Sequence, residues 1–132
     1  MTLRMETVGL IVDDMARSLA FYRALGFNLP PEADSESHVE LSDHQPGDSQ
    51  LAWDTVALIR QADPDFEGRA GRIALAFQCA SPEEVNTLYA QLEALGYGHH
   101  APWDAFWGQR YARLRDPDGN RVELFAPLPQ RA

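Results

Sequence analysis

The apolar run T-V-G-L-I-V, residues Thr7 to Val12, has the length of a strand and opens the chain's pattern. Asp13 or Asp14 then caps a helical spacing through Met15, Leu19, Phe21, Tyr22 and Leu25 that stops at Gly26. Residues 27–29, 38–41 and 51–59 read as short strands, separated by turn-rich residues 30–37 and 42–50. Residues 60–71 are polar, hold a proline and two glycines, and read as a linker.

The pattern then begins again. Residues 73–77 (I-A-L-A-F) are an apolar run, and Ser81-Pro82-Glu83-Glu84 matches a helix start, with Ser81 as cap, Pro82 at the first position and Glu84 completing a capping box. Val85, Leu88, Tyr89, Leu92 and Leu95 share one face of this helix, which stops at Gly96. Strands are expected from His99 to Pro102 or a little beyond, over residues 109–115 and over residues 121–125. The two halves even share a phrase, Ala24-Leu25-Gly26-Phe27 and Ala94-Leu95-Gly96-Tyr97. The repeat predicts an α+β fold of two tandem βαβββ modules, about residues 5–60 and 72–127, in a single domain of 132 residues. A helix covers only one face of each sheet, so two curved sheets around a shared cleft is the economical arrangement.

Strand alternation assigns side chains to faces. Val8, Leu10 and Val12 are expected under the first helix, leaving Thr7, Gly9 and Ile11 on the open face. Ile73, Leu75 and Phe77 are expected under the second helix, leaving Arg72, Ala74, Ala76 and Gln78. Val122 and Leu124 go under, leaving Arg121, Glu123 and Phe125, and Ala112 and Leu114 go inward, leaving Tyr111, Arg113 and Arg115. The last two strands form a hairpin around Asp116-Pro117-Asp118-Gly119, where Pro117 presets a negative φ, Gly119 accepts a positive one, and the Asp side chains bond local amides. Trp103, Phe106 and Trp107 form an aromatic approach to it.

Composition narrows the function. Hydrophobic residues make up 45%, enough for a core, and 11 basic against 20 acidic side chains give a net charge of −9, which disfavours nucleic acid and anionic membranes as partners. Cys79 is the only cysteine, so no internal disulfide forms and a cytoplasmic location is expected. Residues 1–4 show no signal-peptide h-region, and no apolar run reaches the ~18 residues of a membrane span.

The duplicated plan, Val12-Asp13-Asp14 leading to Phe21-Tyr22-Arg23-Ala24-Leu25-Gly26-Phe27, and the stretch from Asp116 to Leu124 resemble the vicinal oxygen chelate superfamily. That superfamily includes glyoxalase I, extradiol dioxygenases, fosfomycin-resistance enzymes and bleomycin-resistance proteins. The resemblance implies four metal-ligand positions. They fall at Thr7, at Arg72, at Glu123 and among residues 56–59, where no ligand type occurs and Asp54 or Gln61 would need a register shift. Glu123 alone is a retained ligand, and Arg72 is expected to pair with it in place of a metal. Trp107-Gly108-Gln109-Arg110-Tyr111-Ala112-Arg113-Leu114-Arg115-Asp116-Pro117 is most similar to the bleomycin-resistance branch, whose members bind planar cationic drugs by stacking.

The resemblance therefore implies a metal-independent, homodimeric small-molecule-binding protein that sequesters an antibiotic or natural product, planar or cationic. Its expected ligand-binding residues are Trp107, Tyr111, Arg72, Glu123, Trp103, Phe106, Trp53 and Thr7. The alternative is a glyoxalase-like, lactoylglutathione-lyase-like lyase or isomerase, or a dioxygenase, using divalent Zn, Ni or Fe with Glu123 and Tyr111 as catalytic residues. The roles of His38, His44, His99 and His100 stay open; adjacent His99 and His100 cannot jointly chelate from regular β structure.

Overall fold

The computed structural model describes residues 7–41, 49–67 and 73–129. The expectations placed on His44 and Arg72 lie outside these residues. The chain divides into two compact units, Met1–Arg69 and Ala70–Ala132, and the architecture is the α+β pairing of helix-backed sheets that the internal repeat predicts.

In the first unit β1 (Thr7–Val12) leads into α1 (Met15–Ala24). The Asp14 carboxylate caps α1 by accepting from the Arg17 amide at 3.1 Å. Strands β2 (His38–Glu40) and β3 (Gln50–Thr55) complete a sheet of order β1-β3-β2, with β1 parallel and β2 antiparallel to β3. Leu10, Val12, Val39 and Trp53 are buried on one face, where Tyr22 of α1 meets the Trp53 ring edge-on at 5.3 Å.

Two expected strands of this unit take other forms. Residues 27–30 are not a strand: the Arg23 guanidinium draws in the Leu29 and Pro30 carbonyls, each at 2.7 Å, and those oxygens are lost to any ladder. Pro30 and Pro31 bring no N–H, and a 3-10 turn follows at Pro31–Ser35. The run expected as a strand over residues 51–59 ends at Thr55, whose hydroxyl accepts from the Leu58 amide at 3.2 Å and starts helix α2 (Val56–Ala62). The cap overrides the β-branched composition of V-A-L-I.

The second unit holds β4 (Ala74–Gln78), α3 (Pro82–Ala94), β5 (Gly98–Ala105), β6 (Gln109–Arg115) and β7 (Arg121–Pro127). The sheet order is β4-β7-β6-β5, parallel between β4 and β7 and antiparallel elsewhere. Ser81 caps α3 through the Glu84 amide at 3.1 Å, while the Glu84 carboxylate accepts from Ala80 at 3.0 Å, one residue before the cap. Val85, Tyr89 and Leu92 of α3 are buried, as are Ala112, Leu114, Val122 and Leu124 of the sheet. Ile73, expected under the helix, precedes β4 and is 74% exposed.

The repeated Leu-Gly-aromatic phrase closes both helices in the same way. Gly26 (φ +113°) and Gly96 (φ +95°) take the left-handed region that side chains resist. The next amide, of Phe27 or Tyr97, then bonds back to the carbonyl of Tyr22 or Leu92 at 3.1 Å.

The turn between β6 and β7 is built on Asp116, which is buried. Its Oδ1 accepts from the amides of Asp118 (2.9 Å) and Asn120 (2.8 Å), and its Oδ2 accepts from Asn120 Nδ2 at 2.8 Å. Gly119 sits at φ +85° and donates to the Asp116 carbonyl at 3.0 Å. Asp116→Ala leaves part-buried amides without acceptors and is expected to cost about 1–2 kcal/mol, read as a lowered midpoint in thermal or urea unfolding. An unchanged midpoint would show that water replaces the carboxylate without loss.

Candidate functional site

The β6–β7 register sets the geometry of the second sheet's open face. Tyr111 pairs with Phe125, Arg113 with Glu123 and Arg115 with Arg121, so all six side chains stand on one side, opposite Ala112, Leu114, Val122 and Leu124. On the neighbouring strand Ala74, Ala76 and Gln78 face Arg121, Glu123 and Phe125 in turn.

Glu123 is the centre of this face, with 9% of its surface exposed. Its Oε1 accepts from Arg121 Nη2 at 3.0 Å and lies 3.7 Å from Arg113 Nε. Its Oε2 accepts a short hydrogen bond from the Tyr111 hydroxyl. Burial and then that bond hold the Tyr111 phenol protonated, its pKa pushed up to about 12. At neutral pH Tyr111 is therefore a hydrogen-bond donor and not a base.

Aromatic rings rise from the same face. Trp103 and Trp107 meet Tyr111 edge-on at 5.5 and 5.3 Å, and Phe125 lies stacked on it at 6.1 Å. The Arg113 guanidinium carbon sits 5.4 Å from the centre of the Trp103 ring, and His100 packs on the same indole at 4.3 Å. Phe106 and Trp107 occupy the turn between β5 and β6, where Gly108 adopts φ +88°, and they are 96% and 47% exposed. The Trp107 indole N–H donates to Gln109 Oε1 at 2.8 Å, which fixes the ring's orientation.

Of the expected ligand-binding residues, the structure brings Trp103, Trp107, Tyr111 and Glu123 together, with Phe106 packed on Trp107 at 5.0 Å. Trp53 is a correction: it is 0% exposed, locked between sheet and α1, and offers no surface to a ligand. Thr7 lies on β1 in the first unit, exposed. The pairing partners of Glu123 among the described residues are Arg121, Arg113 and Tyr111. Sequence reasoning placed both arginines on this face without pairing them. The signal was available, because a five-residue turn over residues 116–120 puts Arg115 opposite Arg121 and, two residues along, Arg113 opposite Glu123.

The first sheet carries a different cluster on the face away from Trp53. His38 and Asp54 are cross-strand neighbours, with Nδ1 2.5 Å from Oδ1, and Glu40 lies 3.4 Å from Nε2. The Asp54 hydrogen bond leads the causes that raise the His38 pKa above its ordinary 6.5. Asp54 therefore lies on the open face through the observed strand, whereas residues 56–59 belong to α2. His99 sits against Arg115, whose charge lowers its pKa. Among the described residues no group of three or more His, Cys, Asp or Glu is arranged to hold a metal ion.

Two helix-backed sheets repeated in one chain define a duplicated α+β protein of the glyoxalase type. The chain belongs to the Glyoxalase/Bleomycin resistance protein/Dioxygenase superfamily, whose family model matches residues 4–124. It is 28% identical over 134 residues to the uncharacterized protein YraH of Bacillus subtilis (strain 168), covering 96% of this chain and 100% of that one. A glyoxalase/bleomycin resistance protein/dioxygenase from Nocardioides superposes with a TM-score of 0.73 at 26% identity, covering 100% of this chain and 91% of that one. A glyoxalase-related enzyme from Fulvimarina pelagi reaches a TM-score of 0.78 at 23% identity over 95% and 88% of the two chains, a likeness of fold alone. Among the described residues no helix is long and apolar enough to cross a membrane.

The His38 cluster gives a pH signature. Protonated His38 between Asp54 and Glu40 stabilises the fold fully below its ordinary pKa, and that contribution is lost as pH rises through the raised value. The stability margin of the native chain over His38→Gln is expected to be larger at about pH 5.5 than at about pH 8.5, by no more than about 1 kcal/mol for an exposed pair. Urea unfolding of both proteins at the two pH values measures it, and a margin that grows with pH would contradict the assignment.

Proposed function

We propose that this chain is a metal-independent small-molecule-binding protein that holds a planar ligand against the aromatic face of its second sheet. The observation that carries the reading is the grouping of Trp103, Trp107, Tyr111 and Phe125 around a carboxylate already engaged on both oxygens. Flat, partly exposed indoles and phenols offer stacking area at little cost in side-chain entropy, and the exposed Phe106 and Trp107 extend that area beyond the sheet. Similarity to the bleomycin-resistance branch favours sequestration of an antibiotic-like or natural-product ligand in the cytoplasm by a homodimer. Sedimentation equilibrium at twice the chain mass is the expected result for the dimer.

The metal-dependent alternative needs Glu123 to turn an oxygen to Zn, Ni or Fe. Both oxygens have donors, and two guanidiniums that cannot deprotonate lie 3.0 and 3.7 Å from Oε1, where they would repel a divalent ion. The donor set on this face does not fit such an ion. Adding Zn, Ni or Fe to chelator-treated protein is expected to leave its melting temperature unchanged, whereas an ion held at Glu123 would raise it by several degrees.

Titration with a panel of planar aromatic compounds, followed by tryptophan fluorescence, tests the binding itself. Trp107→Ala is expected to weaken the tightest binder about tenfold, the loss of one stacking partner. Trp53→Phe is expected to leave the affinity unchanged, since that ring is buried under α1. Silence across the panel would sink the reading.

A further inference from the structure

We propose that the ligand of this face is an aromatic anion, a planar ring system carrying a carboxylate, with the ring on the Trp107–Tyr111–Phe125 cluster and the acid on Arg113 and Arg121. The inference rests on the ligand-site reading above and adds the charge of the ligand to it.

The charge balance of the face is the first argument. Arg113, Arg115 and Arg121 stand there against Glu123, which gives 3 − 1 = +2 on a sheet face of a chain whose net charge is −9. All eleven basic residues of the chain are arginines, and four of them fall within residues 110–121. The fourth, Arg110, alternates to the helix side of the sheet and pairs there with Asp104 at 2.7 Å, so neither of those charges alters the balance. Asp116 is consumed by the turn.

Donor capacity is the second argument. A guanidinium carries five N–H donors in a planar fork matched to a carboxylate. Glu123 takes Tyr111 on one oxygen and Arg121 on the other, with Arg113 Nε 3.7 Å away and without a hydrogen-bond partner. The internal carboxylate is thus filled before the two forks are. The Arg113 guanidinium carbon lies 5.4 Å from the centre of the Trp103 ring, which sets its charge beside the aromatic cluster. Ala74 and Ala76, exposed and small, flank Arg121 and Glu123 and put no bulk over them.

Spacing is the third. The aromatic pair Tyr111–Phe125 and the charged pair Arg113–Glu123 are two residues apart along both strands, a separation of ~7 Å. A fused two-ring aryl carboxylate spans about that distance between its far ring and its acid.

Isothermal titration of the native protein with three isosteric probes decides it: 2-naphthoate, 2-naphthylmethanol and 2-naphthylmethylammonium. The expected result is that naphthoate binds at least ~10-fold more tightly than the alcohol and that the ammonium compound is weakest. Arg113→Gln and Arg121→Gln are each expected to shrink the preference for naphthoate over the alcohol severalfold. Should either variant fold poorly, the native protein still answers through salt: raising NaCl from about 0.02 to about 0.5 M is expected to weaken naphthoate severalfold and leave the alcohol unchanged. Alcohol or ammonium binding as tight as naphthoate would overturn the inference while leaving the ligand site standing. Failure of all three probes to bind, together with silence in the broader aromatic panel, would remove both.

Discussion

A carboxylate nine-tenths removed from water needs partners, and the partners of Glu123 organise the open face of the second sheet. Tyr111 is turned inward by its hydrogen bond to one oxygen, and Arg121 and Arg113 are drawn to the other. Arg113, so placed, lies over Trp103, and Trp103 with Trp107 walls in Tyr111 from the far side. Apart from the Arg121–Glu123 pair within β7, these contacts join β6 to β7 or to β5 and the turn that follows it. They depend on the β6–β7 register, which the Asp116 turn fixes. A slip of one residue would send Tyr111 and Arg113 toward α3 and bring Ala112 and Leu114 to the open face.

Charge and ring act on a ligand in opposite ways here, and magnitudes decide between them. Attraction of a cation to an indole or phenol face contributes ~0.5–2 kcal/mol. A unit charge ~7 Å from a guanidinium interacts with it by about 2 kcal/mol at an effective dielectric of ~20, and this face holds more than one guanidinium. Glu123 offsets one of the three arginine charges, and the surplus remains. Rings alone would favour a planar cation, as in the bleomycin-resistance branch. Rings with a surplus of arginine do not.

Much of this was legible in the chain itself. The repeated Leu-Gly-aromatic phrase marks two helix ends that need a left-handed residue and an aromatic amide reaching back one turn, so the repeat has a backbone cause. The bounds of β1 follow from its apolar run and those of β6 from its alternating one, and alternation also gives the face assignments of Tyr111, Arg113, Glu123 and Phe125. What was hidden lay in side chains acting on distant backbone. Arg23 gathers the carbonyls of Leu29 and Pro30, and nothing within residues 27–29 announces it. Thr55 turns a strand-like V-A-L-I into a helix by one hydroxyl. As a residue type Trp53 offers a flat ligand surface, and its burial follows only from its register opposite Leu10, a pairing of β1 with β3 that spans more than forty residues of chain.

The two sheets repeat a backbone plan while their open faces differ in chemistry. On the first, His38 stands between Asp54 and Glu40, and the remaining neighbours Thr7, Gly9, Ile11 and Gln50 are uncharged. On the second, one glutamate stands among three arginines and a set of rings. Strand pairing requires only that neighbouring residues alternate, and it leaves the identity of every open-face side chain unconstrained. The fold is thus written twice by the apolar half of each strand. The polar half is independent of it, which is why membership of the superfamily determines the architecture here and leaves the chemistry around Glu123 to be set residue by residue.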